Sequence, residues 1–111
     1  MARKINSIQL LQNYFSDVMI RTDHHALGVS QVALAVIGGI IWKSSDIEVF
    51  ERNGEAKNVL WMQTPMANFY FSYDHATDEI VVKENNHKGR ELIRFTNTSP
   101  IADIHAFFDS M

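Results

Sequence analysis

The residues best equipped for chemistry are five histidines, and their surroundings differ. Asp23-His24-His25 puts three potential metal ligands in a row. Neighbouring side chains on a helix or strand point in different directions, so such a run rarely closes on one tetrahedral ion. His75, beside Asp74, would complete a site only if the fold joined two distant loops; solvated loop histidines are the simpler expectation. His105 stands four residues before Asp109, the spacing of a helical surface pair worth a few tenths of a kcal/mol. An acid–base dyad would in addition need a pocket and shifted proton affinities. The chain has no cysteine, which excludes disulfides, thiolate catalysis and Cys-ligated zinc. No Gly-x-Ser-x-Gly, phosphate-cradling glycine loop or His-Glu-x-x-His is present. The expectation is therefore no catalytic residue, no metal and no cofactor, and a non-enzymatic role.

The aromatic residues carry more information. Phe69, Phe71 and Tyr73 alternate along one face of a short segment, and Tyr70 falls on the other. Trp61 belongs to the preceding segment, and Trp42 closes a long apolar run. One set must be core; the other is left for a pocket or an interface. Trp42, Trp61, Phe69, Tyr70, Phe71 and Tyr73 are accordingly the ligand or interface candidates, with Trp61, Tyr70 and Phe71 the lining of any cavity.

The elements that must position them follow from periodicity. Ile5 to Arg21 reads as an amphipathic helix: Ile8, Leu11, Phe15 and Val18 recur at steps of three and four, Met19 joins them, and Leu10 and Tyr14 form a neighbouring stripe. Thr22-Asp23-His24-His25 reads as a polar break. Ala26 to Trp42 is apolar on almost every side, with Ser30 as candidate N-cap and Lys43 at the C-terminus. It admits a helix buried all round, a buried strand over Ala35 to Trp42, or a membrane span. A bilayer requires about 20 apolar residues, and this run is shorter and contains Ser30 and Gln31.

From Asp46 the period becomes two. Asn53-Gly54 is a strong hairpin signal, since both turn positions favour positive φ. Ala56 to Gln63 is apolar on both faces and ends at Pro65. Asn68 to Tyr73, Glu79 to Glu84 and Arg90 to Thr96 complete five strands, and short polar turns between them imply a meander. Ser99-Pro100 opens a final helix, with Ser99 as N-cap and Ile101, Ile104, Phe107 and Phe108 on its apolar side. The fold class expected is α+β: two N-terminal helices, a curved antiparallel meander of about five strands and one C-terminal helix, as a single domain over residues 1–111. Both faces of the second and third strands are apolar, so a cover is expected on each side of the sheet.

The 111 residues, 46% hydrophobic and 21% charged, suffice for one real core. The net charge of −3 and a pI near 5.9 argue against nucleic-acid binding, which needs a basic surface. Lys83, Lys88, Arg90 and Arg94 are interleaved with Glu84 and Glu91 and read as a mixed, solvated edge. The start, Met1-Ala2-Arg3-Lys4, is followed by an amphipathic stretch rather than a continuous apolar one, so no signal peptide is expected. The absence of cysteine points to a reducing cytoplasm.

The order of helices, curved sheet and closing helix resembles cone-shaped α+β folds that enclose small ligands. In size and character the chain also resembles the orphan proteins encoded by bacterial integron gene cassettes, most clearly over IIWKSSDIEVFERNGEAKNVLWMQTP. That resemblance implies a single compact domain, in several cases oligomeric, and assigns no functional residue. The functional expectation is a non-catalytic cytoplasmic binding protein, a homodimer acting through an apolar and aromatic surface. A small-molecule-binding domain or minor enzyme with an aromatic-lined cavity for a small apolar ligand is the alternative. Neither nucleic acid nor membrane is expected as a partner.

Overall fold

The computed structural model describes residues 2–25, 29–52, 55–74 and 76–111. The chain order is β1 (Ala2–Lys4), α1 (Ile8–His25), α2 (Val29–Lys43), β2 (Asp46–Arg52), β3 (Glu55–Gln63), β4 (Asn68–Asp74), β5 (Glu79–Glu84), β6 (Glu91–Phe95) and α3 (Ile101–Asp109). The six strands form one sheet in sequence order, each pair antiparallel. The α+β meander therefore stands, with one strand more than expected. The extra strand is β1, three residues too short to show a period of two.

Helix α1 starts where Ser7 accepts a hydrogen bond at its Oγ from the Leu10 amide at 3.2 Å, an N-cap. It runs to His25, so the polar run from Thr22 is helical rather than a break. That run contains neither glycine nor proline, and polarity alone does not end a helix. The Ala26–Trp42 ambiguity resolves as helix from Val29 onward, not strand. Ser30 falls inside the first turn instead of capping it. No helix among the described residues is long and apolar enough to cross a membrane. At the other end, Pro100 rather than Ser99 occupies the N-cap of α3. The Ser99 hydroxyl accepts from the Thr96 amide at 2.8 Å and closes the preceding turn instead.

Antiparallel pairing sorts the sheet into two faces. Val49, Leu60, Phe71, Val82 and Ile93 stand directly opposite one another across five strands. The helices pack on this face: Tyr14 from α1, Val32, Val36 and Ile40 from α2, and Ile104 and Phe108 from α3 join the strand residues in one core. Phe108 stacks on Phe71 at 6.2 Å with the rings only 2° from parallel. Phe107 meets Phe95 and Phe69 edge-on at 5.7 and 6.4 Å. Such aromatic pairs contribute about 0.5–1.5 kcal/mol beyond area burial. Tyr14, placed on the side stripe by periodicity, lies at the centre of the α1 contact, and its hydroxyl donates to the Val59 carbonyl at 3.3 Å. That carbonyl belongs to the stretch of β3 where pairing with β2 shifts register.

The hairpin expected at Asn53-Gly54 is framed by the pair Arg52↔Glu55. The two turn residues themselves lie outside the described residues, as does His75. On the far side of the sheet, Arg94 binds Glu91 at 2.9 Å, Asp74 at 3.1 Å and Glu79 at 3.2 Å, tying β4, β5 and β6 together. The hydrogen bonds from Arg94 hold the Asp74 and Glu91 carboxyls below their ordinary range. The stability they contribute is complete above the ordinary values of 3.8 and 4.5 and is lost as pH falls through the depressed ones. Arg94→Met is thus expected to be less stable than the parent near neutral pH, the gap closing in acid; urea melts across the pH range check this. A gap independent of pH would show that packing, not charge, holds the three strands.

Candidate functional site

The sequence candidates separate into three places. Phe69 and Phe71 belong to the core: Phe71 is buried and Phe69 packs against the same cluster. Tyr73 shares their side of the strand but sits at its half-buried end, where its hydroxyl donates to Asp78 at 3.0 Å. Trp61 and Tyr70 lie on the opposite face of the sheet, and Trp42 is on α2. Trp61, Tyr70 and Phe71 therefore do not line one cavity, because adjacent residues of a strand point to opposite faces.

Burial, helped by the bond to Asp78, pushes the Tyr73 phenol up to about 12. Its contribution to stability is intact below the ordinary value of 10 and is lost as pH rises through 12. Absorbance titration of tyrosinate is expected to show this phenol ionising late, and Tyr73→Phe to remove that phase. An unchanged titration would place the late phase elsewhere.

Two surfaces remain. The first is the outer side of α2 with the adjoining edge of α3. The sequence suggests burial all round, yet Leu34 (61%), Ile41 (50%) and Trp42 (53%) are half exposed or more, as is Ile101 (64%) of α3. The apolar surplus of α2 exceeds what one sheet face and two helices can cover. Trp42 stacks on His105 at 5.8 Å and 19°, and the Lys43 ammonium lies 4.2 Å from the centre of the indole. His105 is held by that stack, and no hydrogen bond joins it to Asp109. Beneath runs a half-open groove of about 210 Å³ lined by Ala35, Gly38, Gly39, Ile104 and Phe108. It is smaller than the roughly 300 Å³ at which pockets for drug-sized ligands begin.

The second surface is the sheet face away from the helices. Glu48, Trp61, Tyr70 and Lys83 stand in one cross-strand row over β2 to β5. Phe50–Trp61, Trp61–Tyr70 and Tyr70–His87 are in tilted ring contact at 6.4, 5.7 and 6.4 Å. All four rings except that of His87 are half-buried. Burial raises the Tyr70 hydroxyl above its ordinary range. Phe50 and Glu48 were not singled out by the sequence, although Phe50 interrupts the polar side of its strand and is the signal that could have found this face.

Among the described residues neither surface carries a nucleophile–base pair. Among the described residues no three metal-ligating side chains converge, and the side chains of His24 and His25 lie outside that set. Three of the four basic residues of the last hairpin are engaged by neighbours: Arg90 by Glu84 at 3.1 Å, Arg94 by its three carboxylates, and Lys83 by the His87 carbonyl at 3.1 Å.

A family model described as "Integron cassette protein VCH_CASS1 chain" matches residues 11–105. The match runs from within α1 to His105 of α3 and includes Leu34, Ile41, Trp42 and Ile101 of the first surface and Glu48, Trp61 and Tyr70 of the second. No curated protein matches the chain.

Proposed function

The chain belongs to this integron cassette protein family, and from that premise we propose that it is a non-catalytic binding protein that acts as a homodimer through the outer face of α2. The observation that carries the reading is the exposure of Leu34, Ile41 and Trp42 on one helix, continued by Ile101. Large side chains in such a contiguous patch mark an interaction surface far more often than scattered exposed ones do. A second copy fits because α2 has no charged residue between Val29 and Trp42, so two such helices can cross without burying an unpaired charge. Gly38 has open space in front of it, which permits close approach of the partner backbone.

Sedimentation of the free protein at micromolar concentration is expected to show a dimer. Leu34→Glu with Ile41→Glu is expected to weaken association by about a hundredfold or more, since each carboxylate would be buried without a partner. Both positions are exposed, so the fold itself should survive, and circular dichroism checks that. A strictly monomeric parent would overturn the reading.

A further inference from the structure

We propose that the open face of the sheet binds a small organic cation of the quaternary ammonium type over Trp61, with Glu48 as its counter-charge. This site is independent of self-association, because the helices lie on the other side of the sheet.

The charges on this face account for the choice of ligand. The described carboxylates here are Asp46, Glu48, Asp74, Glu79 and Glu91, and the described cations are Lys4, Lys83 and Arg94. Arg94 serves Asp74, Glu79 and Glu91. Lys4 is taken by Asp46 at 2.9 Å, and Lys83 is held at the turn by the His87 carbonyl. Glu48, half-buried, stands across from Lys4 and feels its charge, but Lys4 bonds to Asp46, so two carboxylates share one ammonium and a negative charge is left beside Trp61. It stands directly across from Trp61, and Trp61 directly across from Tyr70, each step one strand spacing of about 4.8 Å.

A carboxylate that only shares a lysine, beside two contiguous aromatic faces, is the chemistry that recognises a cation through ring quadrupoles and one opposite charge. A quaternary ammonium suits it better than a primary ammonium or an inorganic ion. Its charge is spread over methyl groups, it sheds water cheaply, and it asks for no hydrogen bonds, of which the ring faces supply none. The alternation that sends Phe69 and Phe71 into the core is what delivers Trp61 and Tyr70 to this face.

The test uses choline, with its neutral carbon isostere 3,3-dimethyl-1-butanol as control, at matched ionic strength. The protein has two tryptophans, so Trp42→Phe leaves Trp61 as the single indole reporter. Choline is expected to change Trp61 emission saturably in the millimolar range, and the alcohol to bind at least about fivefold more weakly. Glu48→Gln, which removes the charge at nearly constant shape, should weaken choline severalfold while circular dichroism shows the fold intact. Absence of saturation up to about 100 mM overturns the proposal. So does equal binding of the alcohol, which would indicate a merely apolar surface, or indifference to Glu48→Gln. None of these outcomes bears on the oligomeric state, so failure here and failure of the dimer are read separately.

Discussion

Truncation of Phe108 to alanine is expected to remove about 3–5 kcal/mol of stability, the range for a fully buried phenylalanine. Phe108 is essentially inaccessible to solvent. Its ring lies flat on Phe71, meets Phe107 edge-on at 5.3 Å, and closes over Gly39. It is the point where sheet, α2 and α3 meet, and the groove beside it gives neighbouring side chains little reason to collapse into the hole. A domain of this size has a total stability of about 5–15 kcal/mol, so the variant should lie near the edge of folding. Urea denaturation of parent and variant measures the difference. A loss below about 1 kcal/mol would mean that α3 is held mainly by something other than this ring.

The second expectation contrasts two adjacent glycines. A methyl group at Gly39 would run into the Phe108 ring, whereas one at Gly38 would meet nothing within 4 Å. Gly39→Ala gains up to about 1 kcal/mol of helix propensity but must displace a packed aromatic, an overpacking cost of about 1–3 kcal/mol. The net effect is destabilising. Gly38→Ala keeps the propensity gain and stabilises the isolated fold by about 0.5–1 kcal/mol. Combining Gly39→Ala with Phe108→Leu should cost less than the sum of the separate changes, because the smaller side chain vacates the contested space. Equal effects at the two glycines would show that α2 does not present Gly39 to α3. If Gly38 also lies at the self-association face, its alanine variant should be a more stable protomer and a weaker dimer.

Much of this architecture is legible in the residues. Strand periodicity, the Asn53-Gly54 signal and short polar turns locate β2 to β6 within a residue or two, because alternation and turn chemistry are local. The helical state of α2 is less accessible: its β-branched residues and paired glycines fit a strand as well, and only packing against Tyr14, Ile104 and Phe108 decides. The same holds for Tyr14, whose burial depends on where α1 crosses the sheet. The aromatic candidates show the limit most clearly. Alternation correctly separates Tyr70 from Phe69 and Phe71, yet nothing local says which set the helices will cover. Exposure of Leu34, Ile41 and Trp42 is a property of how many neighbours a helix finds, and a sequence window does not contain that count.

Strand β1 encloses a long stretch of the chain. Among the described residues it pairs with β2 alone, through Ala2↔Phe50, Arg3↔Val49 and Lys4↔Glu48, and the whole α1–α2 hairpin lies between the two strands in the chain. The Ile5 amide donates to the Ile47 carbonyl at 2.8 Å, and Lys4 adds its bond to Asp46. The short strand is thus a latch that closes a long loop, and loop-closure entropy opposes it at every moment. Because that entropy rises only slowly with loop length, the latch holds against it with a few hydrogen bonds. Its amides should exchange with solvent by local opening, well before those of β3 to β5, and each opening uncovers the β2 edge to any other strand that can pair with it.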